Sequence, residues 1–199
     1  MKSNLIESIK LRRSIYNLNN QSTISDQQLI DQIKAITQFV PSPFNIQSGR
    51  VVILLGENHH KLWNIVLETL RKIVPAANFA STENKIKSFD AGYGTILFFD
   101  DTPSVEDLKA KFPLYQQHFD SWADQANGML QFAVWTYLAE HNMGASLQHY
   151  NPLIDDEVKK TFNLPKEWRL IAQMPFGTIA APAGEKSFLP IDERVRVHK

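Results

Sequence analysis

Apolar residues return every three or four positions through some stretches of the chain and run unbroken through others, and these two rhythms separate helices from strands. Leu5, Ile6, Ile9 and Ile15 follow Asn4, which is placed as an N-cap with Glu7 at N3, so a first helix is predicted there. Ser25 and Gln28 form a capping box, and Ile24 can staple onto Leu29. Leu29, Ile33, Ile36 and Val40 then line one helical face until Pro41 and Pro43 stop it. Val51–Leu55 is a continuous aliphatic run between Gly49 and Gly56, the pattern of a strand covered on both faces. A helix with Leu62, Val66, Leu70 and Val74 inward follows, closed by Pro75. Thr95–Phe99 reads as a second buried strand ended by a turn at Asp100–Pro103. The longest helix is predicted from Leu114 to Asn142, with Gly144 as its C-terminal cap and a stripe of Phe119, Trp122, Ala126, Met129, Ala133 and Tyr137. Around Met129–Ala139 it is apolar nearly all round, which implies burial at the centre of the fold or against a second subunit. A short helix at Asp155–Phe162, a strand near Trp168–Met174 and a tail alternating with period two at Arg194–Val197 complete the pattern. Strands separated by helices, with no repeat and no linker, predict one layered α/β or α+β domain over residues 1–199.

Composition narrows the chemistry. Lys+Arg and Asp+Glu both number 21, so no net field draws the protein to nucleic acid or to an anionic membrane. The chain has no cysteine, which removes disulfides, thiolate metal sites and a cysteine nucleophile. The N-terminus lacks the apolar core of a signal peptide, and Met129–Ala139 is far short of the ~20 apolar residues of a membrane span. The expectation is a soluble, cytoplasmic protein.

Self-contained catalytic motifs fail on inspection. Gly144-Ala-Ser-Leu-Gln148 approaches a nucleophile elbow around Ser146, leaving a serine hydrolase as the weakest of three readings, but Gln148 stands where the second glycine belongs. Gly184-Glu-Lys-Ser187 resembles the end of a P-loop, but Glu185 breaks it. Gly92-Tyr-Gly94 precedes a strand, whereas a dinucleotide fingerprint follows one. His59 and His60 are adjacent and no histidine pair has i, i+4 spacing, so no metal site is expected. Such a chain can still carry out chemistry that a cofactor brings.

Three separated pieces carry compatible polar groups. Arg12-Arg13-Ser14 places two guanidinium forks beside a hydroxyl, suited to a phosphate or to solvated charges at a helix end. Ser42-Pro43-Phe44-Asn45-Ile46-Gln47 sets two amides two residues apart, able to read a heterocycle edge or to satisfy loop backbone. Arg194 and Arg196 share one side of an extended tail. The order R-R-S, then P-S-x-x-N-x-Q before a buried strand, then R-x-R at the end resembles the FMN-dependent nitroreductase family across essentially the whole chain. The Leu147-Gln-His-Tyr-Asn151 segment is similar to the short nitroreductase-like proteins of yeasts and lactic-acid bacteria.

That resemblance implies an α+β three-layer sandwich, a central mostly antiparallel sheet flanked by helices. It also implies a homodimer with two FMN molecules at the interface. Arg12, Ser14, Arg194 and Arg196 are implied to hold the FMN phosphate, with Arg13 near the ribityl chain or flavin edge. Asn45 and Gln47 are implied to read the polar edge of the ring, and Ser42, Pro43 and Phe44 to reach the flavin from the neighbouring subunit. Gln148 and His149 fall in the loop that lies beside the reactive flavin nitrogen in relatives. The implied activity is ping-pong transfer of electrons from NADH or NADPH to nitroaromatic or quinone acceptors, with no catalytic side chain. Ser48-Gly49 replaces the Pro-Trp that follows the Asn-x-Gln pair in many members, and the glutamate-glycine pair common at the reactive nitrogen is absent. The alternative is therefore a flavin-binding regulatory or sensor protein with incidental reductase activity.

Overall fold

Residues 4–199 are described by a computed structural model. The helices are α1 (Leu5–Leu11), α2 (Asp26–Phe39), α3 (Glu57–Arg71), α4 (Phe79–Asp90), α5 (Thr102–Lys111), α6 (Phe119–Glu140), α7 (Asp155–Thr161) and α8 (Ile191–Arg194). The strands are β1 (Leu18–Asn19), β2 (Gly49–Leu55), β3 (Gly94–Asp101), β4 (Met143–Ala145) and β5 (Trp168–Ile179). They form one sheet of order β1-β5-β3-β2, with β4 also on β5, and every pairing of named strands is antiparallel.

Alternation along the strands sorts side chains into two cores. Leu54, Leu97, Phe99 and Leu170 face a cluster with Leu62, Trp63 and Val66 of α3, Phe89 of α4 and Val158 of α7. Ile96, Phe98, Ala172, Met174 and Phe176 face Leu29 and Ile33 of α2 and Leu130, Val134 and Leu138 of α6. The result is three layers, helix–sheet–helix, the expected α+β sandwich. Among the described residues no helix is long and apolar enough to cross a membrane.

The N-caps predicted at Asn4 and Ser25 hold. Asn4 Oδ1 accepts from Ile6 N at 3.0 Å, and Ser25 Oγ accepts from Gln28 N at 3.2 Å. Other expectations need correction. Leu5 and Ile6 are exposed, and Ser8 is the residue of α1 that packs inward, hydrogen-bonded to Glu140 of α6. Ile15 lies beyond α1, in an extended segment. The turn at Asp100–Pro103 does not end in a loop: Pro103 sits in the first turn of α5, where its missing N–H costs nothing. Helix α4 escapes the pattern because Phe79, Ile86 and Phe89 are its only buried residues among polar neighbours. α6 begins after a 3-10 segment at Pro113–His118, and its buried stripe runs through Phe119, Ala123, Ala126, Leu130, Val134 and Leu138, leaving Met129 exposed. Gly144 does not cap α6. Asn142, at φ 55°, takes the left-handed position, and Gly144 is in β4 because a Cβ there would meet Ile15 Cγ2 at 2.7 Å. The tail begins with the helical turn of α8, and Val195 beyond it is extended.

Candidate active site

The chain leaves α1 at Arg12 in extended conformation and runs beside β4, where Ile15 N–H donates to Ala145 O at 2.9 Å. β1 then pairs with the end of β5, and Ala180 N–H donates to Asn17 O at 3.0 Å, so the residues after β5 return over the R-R-S segment. A cavity of about 420 Å³ lies between them, lined by Arg12, Arg13, Ser14, Tyr16, Gly184, Glu185 and Lys186 among others. Arg13 Nη2 donates to Gly184 O at 2.7 Å. The Arg12 guanidinium lies 4.4 Å from the Trp135 ring centroid, and its Nε is buried with no hydrogen-bond partner. Burial first, and the charge of Arg13 second, lower the Arg12 pKa from its ordinary value. Two adjacent cations and an orphaned donor are a costly arrangement that an anion would relieve.

The Ser42–Gln47 loop is built differently. Phe44, Asn45 and Gln47 have φ of 51°, 54° and 53°, a backbone region that asparagine tolerates and the other two resist. Gln47 N–H donates to Ser42 Oγ at 2.9 Å and Arg50 Nη1 to Gln47 O at 2.6 Å, which hold the loop in place. Phe44, half exposed, packs its ring 4.7 Å from that of Phe112 and edge-on to Phe119 at 5.6 Å, while Pro43 opens the short helical turn. Strained positions gathered in one exposed loop are a mark of function. Ser42 and Gln47 line a second, mostly apolar cavity of about 630 Å³ between α2, β2 and α6.

The third piece is a polar ladder beside β5. Gln148 N–H donates to Gln173 O at 2.7 Å, and Gln173 N–H returns a bond to Gln148 O at 2.9 Å. The buried Gln173 side chain accepts from Tyr150 N at 2.8 Å. Gln148 is buried and its Nε2 donates to Ser146 Oγ at 3.0 Å, while His149 is exposed beside it. Burial pushes the Tyr150 phenol up to about 12. Ser146 itself is buried against an amide, which cannot take its proton, so the hydrolase reading has no support in the geometry.

Arg12, Arg13 and Ser14 thus share one cavity, Ser42 and Gln47 a separate one, and Phe44, Asn45 and His149 are exposed. Arg194 and Arg196 are on the exposed tail and do not line the Arg12 cavity within this one chain. Trp135 and Lys186 were not signalled by any motif. Lys186 belongs to the segment that fails as a P-loop, and only the β1–β5 pairing brings it over Arg12.

Similarity to known proteins agrees with this geometry. The Nitroreductase family profile matches residues 9–178. HBN1 of Saccharomyces cerevisiae is 34% identical over 194 residues, covering 96% of this chain and 95% of that protein. The nitroreductase FRM2 of the same yeast is 30% identical over 190 residues, covering 94% and 93%. The nitroreductase CinD of Lactococcus lactis, solved in complex with chloramphenicol, superposes with a TM-score of 0.90 at 43% identity over 98% of this chain and 100% of that one. A second CinD structure, in complex with 4-nitrophenol, gives 0.89 at 43% identity with the same coverage. By profile, relatives and fold alike, the chain belongs to the nitroreductase family of oxidoreductases.

Proposed function

We propose that the protein is a cytoplasmic, homodimeric FMN-dependent oxidoreductase, a single domain over residues 1–199, that passes electrons from NADH or NADPH to nitroaromatic or quinone acceptors in a ping-pong cycle. The observation that carries this reading is the convergence of Arg12, Arg13, Ser14 and Lys186, with Glu185 among them, on one cavity, where the buried Arg12 Nε has no partner. A phosphate dianion fits that donor set. Each charge-assisted hydrogen bond to it contributes about 1.5–3 kcal/mol before desolvation is counted. FMN, when bound, supplies the two-electron carrier that the side chains lack.

Arg12, Arg13 and Ser14 hold the phosphate, and Arg194 and Arg196 join them once the exposed tail packs in the dimer. The Asn45 and Gln47 amides orient the ring by its polar edge. Ser42, Pro43 and Phe44 reach the site from the second subunit, a role supported by the absence of all three from the lining of the Arg12 cavity within one chain. Gln148 and His149 stand at the reactive edge, with the Gln148 backbone held by Gln173. None of these groups acts as acid or base; they position two planar molecules in turn. Exposed Met129 and Phe132 on α6, with Phe188, Leu189 and Ile191 in the tail, are apolar surface suited to a second copy. The nitro groups of chloramphenicol and 4-nitrophenol, the ligands of CinD, support a nitroaromatic acceptor.

The visible spectrum of the purified protein tests the reading. A flavin spectrum, bleached by NADH or NADPH under nitrogen and restored by 4-nitrophenol or a quinone, is expected. A colourless protein that takes up no added FMN would overturn it.

A further inference from the structure

Adjacent His59 and His60 carry no metal-binding spacing of their own, but the fold supplies a third donor thirty residues away, at the end of α4. His60 Nδ1 lies 2.7 Å from Asp90 Oδ1, and His59 Nε2 lies 3.1 Å from the Asp90 carbonyl oxygen. One ligating atom from each of the three side chains falls within 4.8 Å of the other two. We propose that His59, His60 and Asp90, with the Asp90 carbonyl as a fourth donor, form a binding site for a divalent transition metal ion of the zinc or nickel class.

Two imidazoles and a carboxylate are the donors that borderline cations select. Zinc bonds of about 2.0–2.2 Å set tetrahedral donors about 3.3–3.6 Å apart, so the 2.7 and 3.1 Å contacts at Asp90 need to open by less than about 1 Å, while the three side-chain donors already lie within 4.8 Å of one another. The surroundings supply the outer support such a site requires. His59 Nδ1 is 2.8 Å from Thr95 Oγ1, which also accepts the Trp63 indole N–H at 2.9 Å. Without metal, Thr95 donates its hydroxyl hydrogen to His59 Nδ1, and Nε2–H donates to Asp90 O. With metal on Nε2, the hydrogen moves to Nδ1 and is donated to Thr95, the outer partner that ligating histidines commonly have. Metal binding at Nε2 is therefore a change of tautomer in a ring that stays neutral and does not rotate. His59 is buried and fixed, whereas the His60 and Asp90 side chains are each 41% exposed and leave an entry path.

Zinc chloride titrated calorimetrically into the full-length protein tests the site. One zinc ion per chain is expected. His60→Ala and Asp90→Asn should each weaken binding at least tenfold, and His118→Ala, on a separate exposed turn, should leave it unchanged. Because Asp90→Asn preserves size and both its variants alter part-exposed groups, folding is checked by far-ultraviolet circular dichroism on the same samples. Absence of stoichiometric binding by the wild type, or binding by the two variants equal to that of the wild type, would reduce the cluster to a plain His60–Asp90 hydrogen bond and overturn the proposal. Neither outcome depends on the flavin reading.

Discussion

Arg12 stacks on Trp135 with one donor unpaired, and a residue in that state is poised for a ligand. Arg12→Ala is predicted to weaken FMN binding by about 10- to 150-fold, the factor that one charge-assisted hydrogen bond is worth. Arg12→Lys should recover only part of the loss, because an ammonium lacks the planar fork and the stacking surface. Titration by quenching of FMN fluorescence reads both effects. Tyr150 gives an independent check on the polar ladder beside β5. Its folded pKa of about 12 exceeds the ordinary 10, so the folded state binds the phenolic proton more tightly than the unfolded one. The contribution to stability is therefore complete below pH ~10 and lost as pH rises toward ~12. Tyr93, through its hydrogen bond to Asp26, and Tyr137, through burial, are also raised, so a phenolate absorbance titration should show several late-ionising tyrosines, one of which Tyr150→Phe removes. At this scale the R-R-S segment was legible as two guanidinium groups beside a hydroxyl, and the fold brings Arg12, Arg13 and Ser14 to one cavity. Trp135 and Lys186 were not, since nothing in their local sequence says which segment passes over them.

Elements were read best where local chemistry decides them. The Ser25–Gln28 cap, the aliphatic run of β2 and the buried β3 needed no tertiary information. Pro103 and Gly144 show the limit: each residue type punctuates the chain in more than one way, and only packing selects the use. Gly144 is small because Ile15 presses against β4. Gly144→Ala should cost about 1–3 kcal/mol in thermal or urea unfolding and, by displacing Ile15 beside Ser14, should weaken FMN binding if the proposed role of Ser14 holds. The Ser42–Gln47 loop behaves in the opposite way. Gln47→Gly relieves a left-handed backbone while raising the entropy of the unfolded chain, so stability should stay within about 1 kcal/mol of wild type. FMN affinity should still fall, because the amide is gone. A thermal melt paired with a flavin titration separates those effects, and an equal loss of both would assign the loop to folding alone.

Across the whole molecule, periodicity exposed a surplus of apolar residues on α6 and predicted a stripe for them that includes Met129. The buried stripe turned out to be offset from the predicted one, which leaves Met129 outward. In the proposed dimer a glutamate there would be stranded, charged and unpaired, between the subunits. Met129→Glu is predicted to shift the protein from dimer to monomer in sedimentation equilibrium and to release flavin with it. Retention of the dimer would place the interface elsewhere. The layered α+β class was legible because it follows from alternating helices and strands. The meeting of Arg12 with residues 184–186 was not, because it depends on β1 pairing with the far end of β5.

The central claim is that the Arg12 cavity binds the terminal phosphate of the cofactor, and comparing FMN with riboflavin on flavin-free protein tests it most directly. The two ligands share the ring and ribityl chain and differ only in that phosphate. FMN should bind at least 100-fold more tightly than riboflavin to the wild type, with the gap narrowing at least tenfold in Arg12→Ala. Equal affinities for the two flavins, or a gap unchanged by the substitution, would contradict the account.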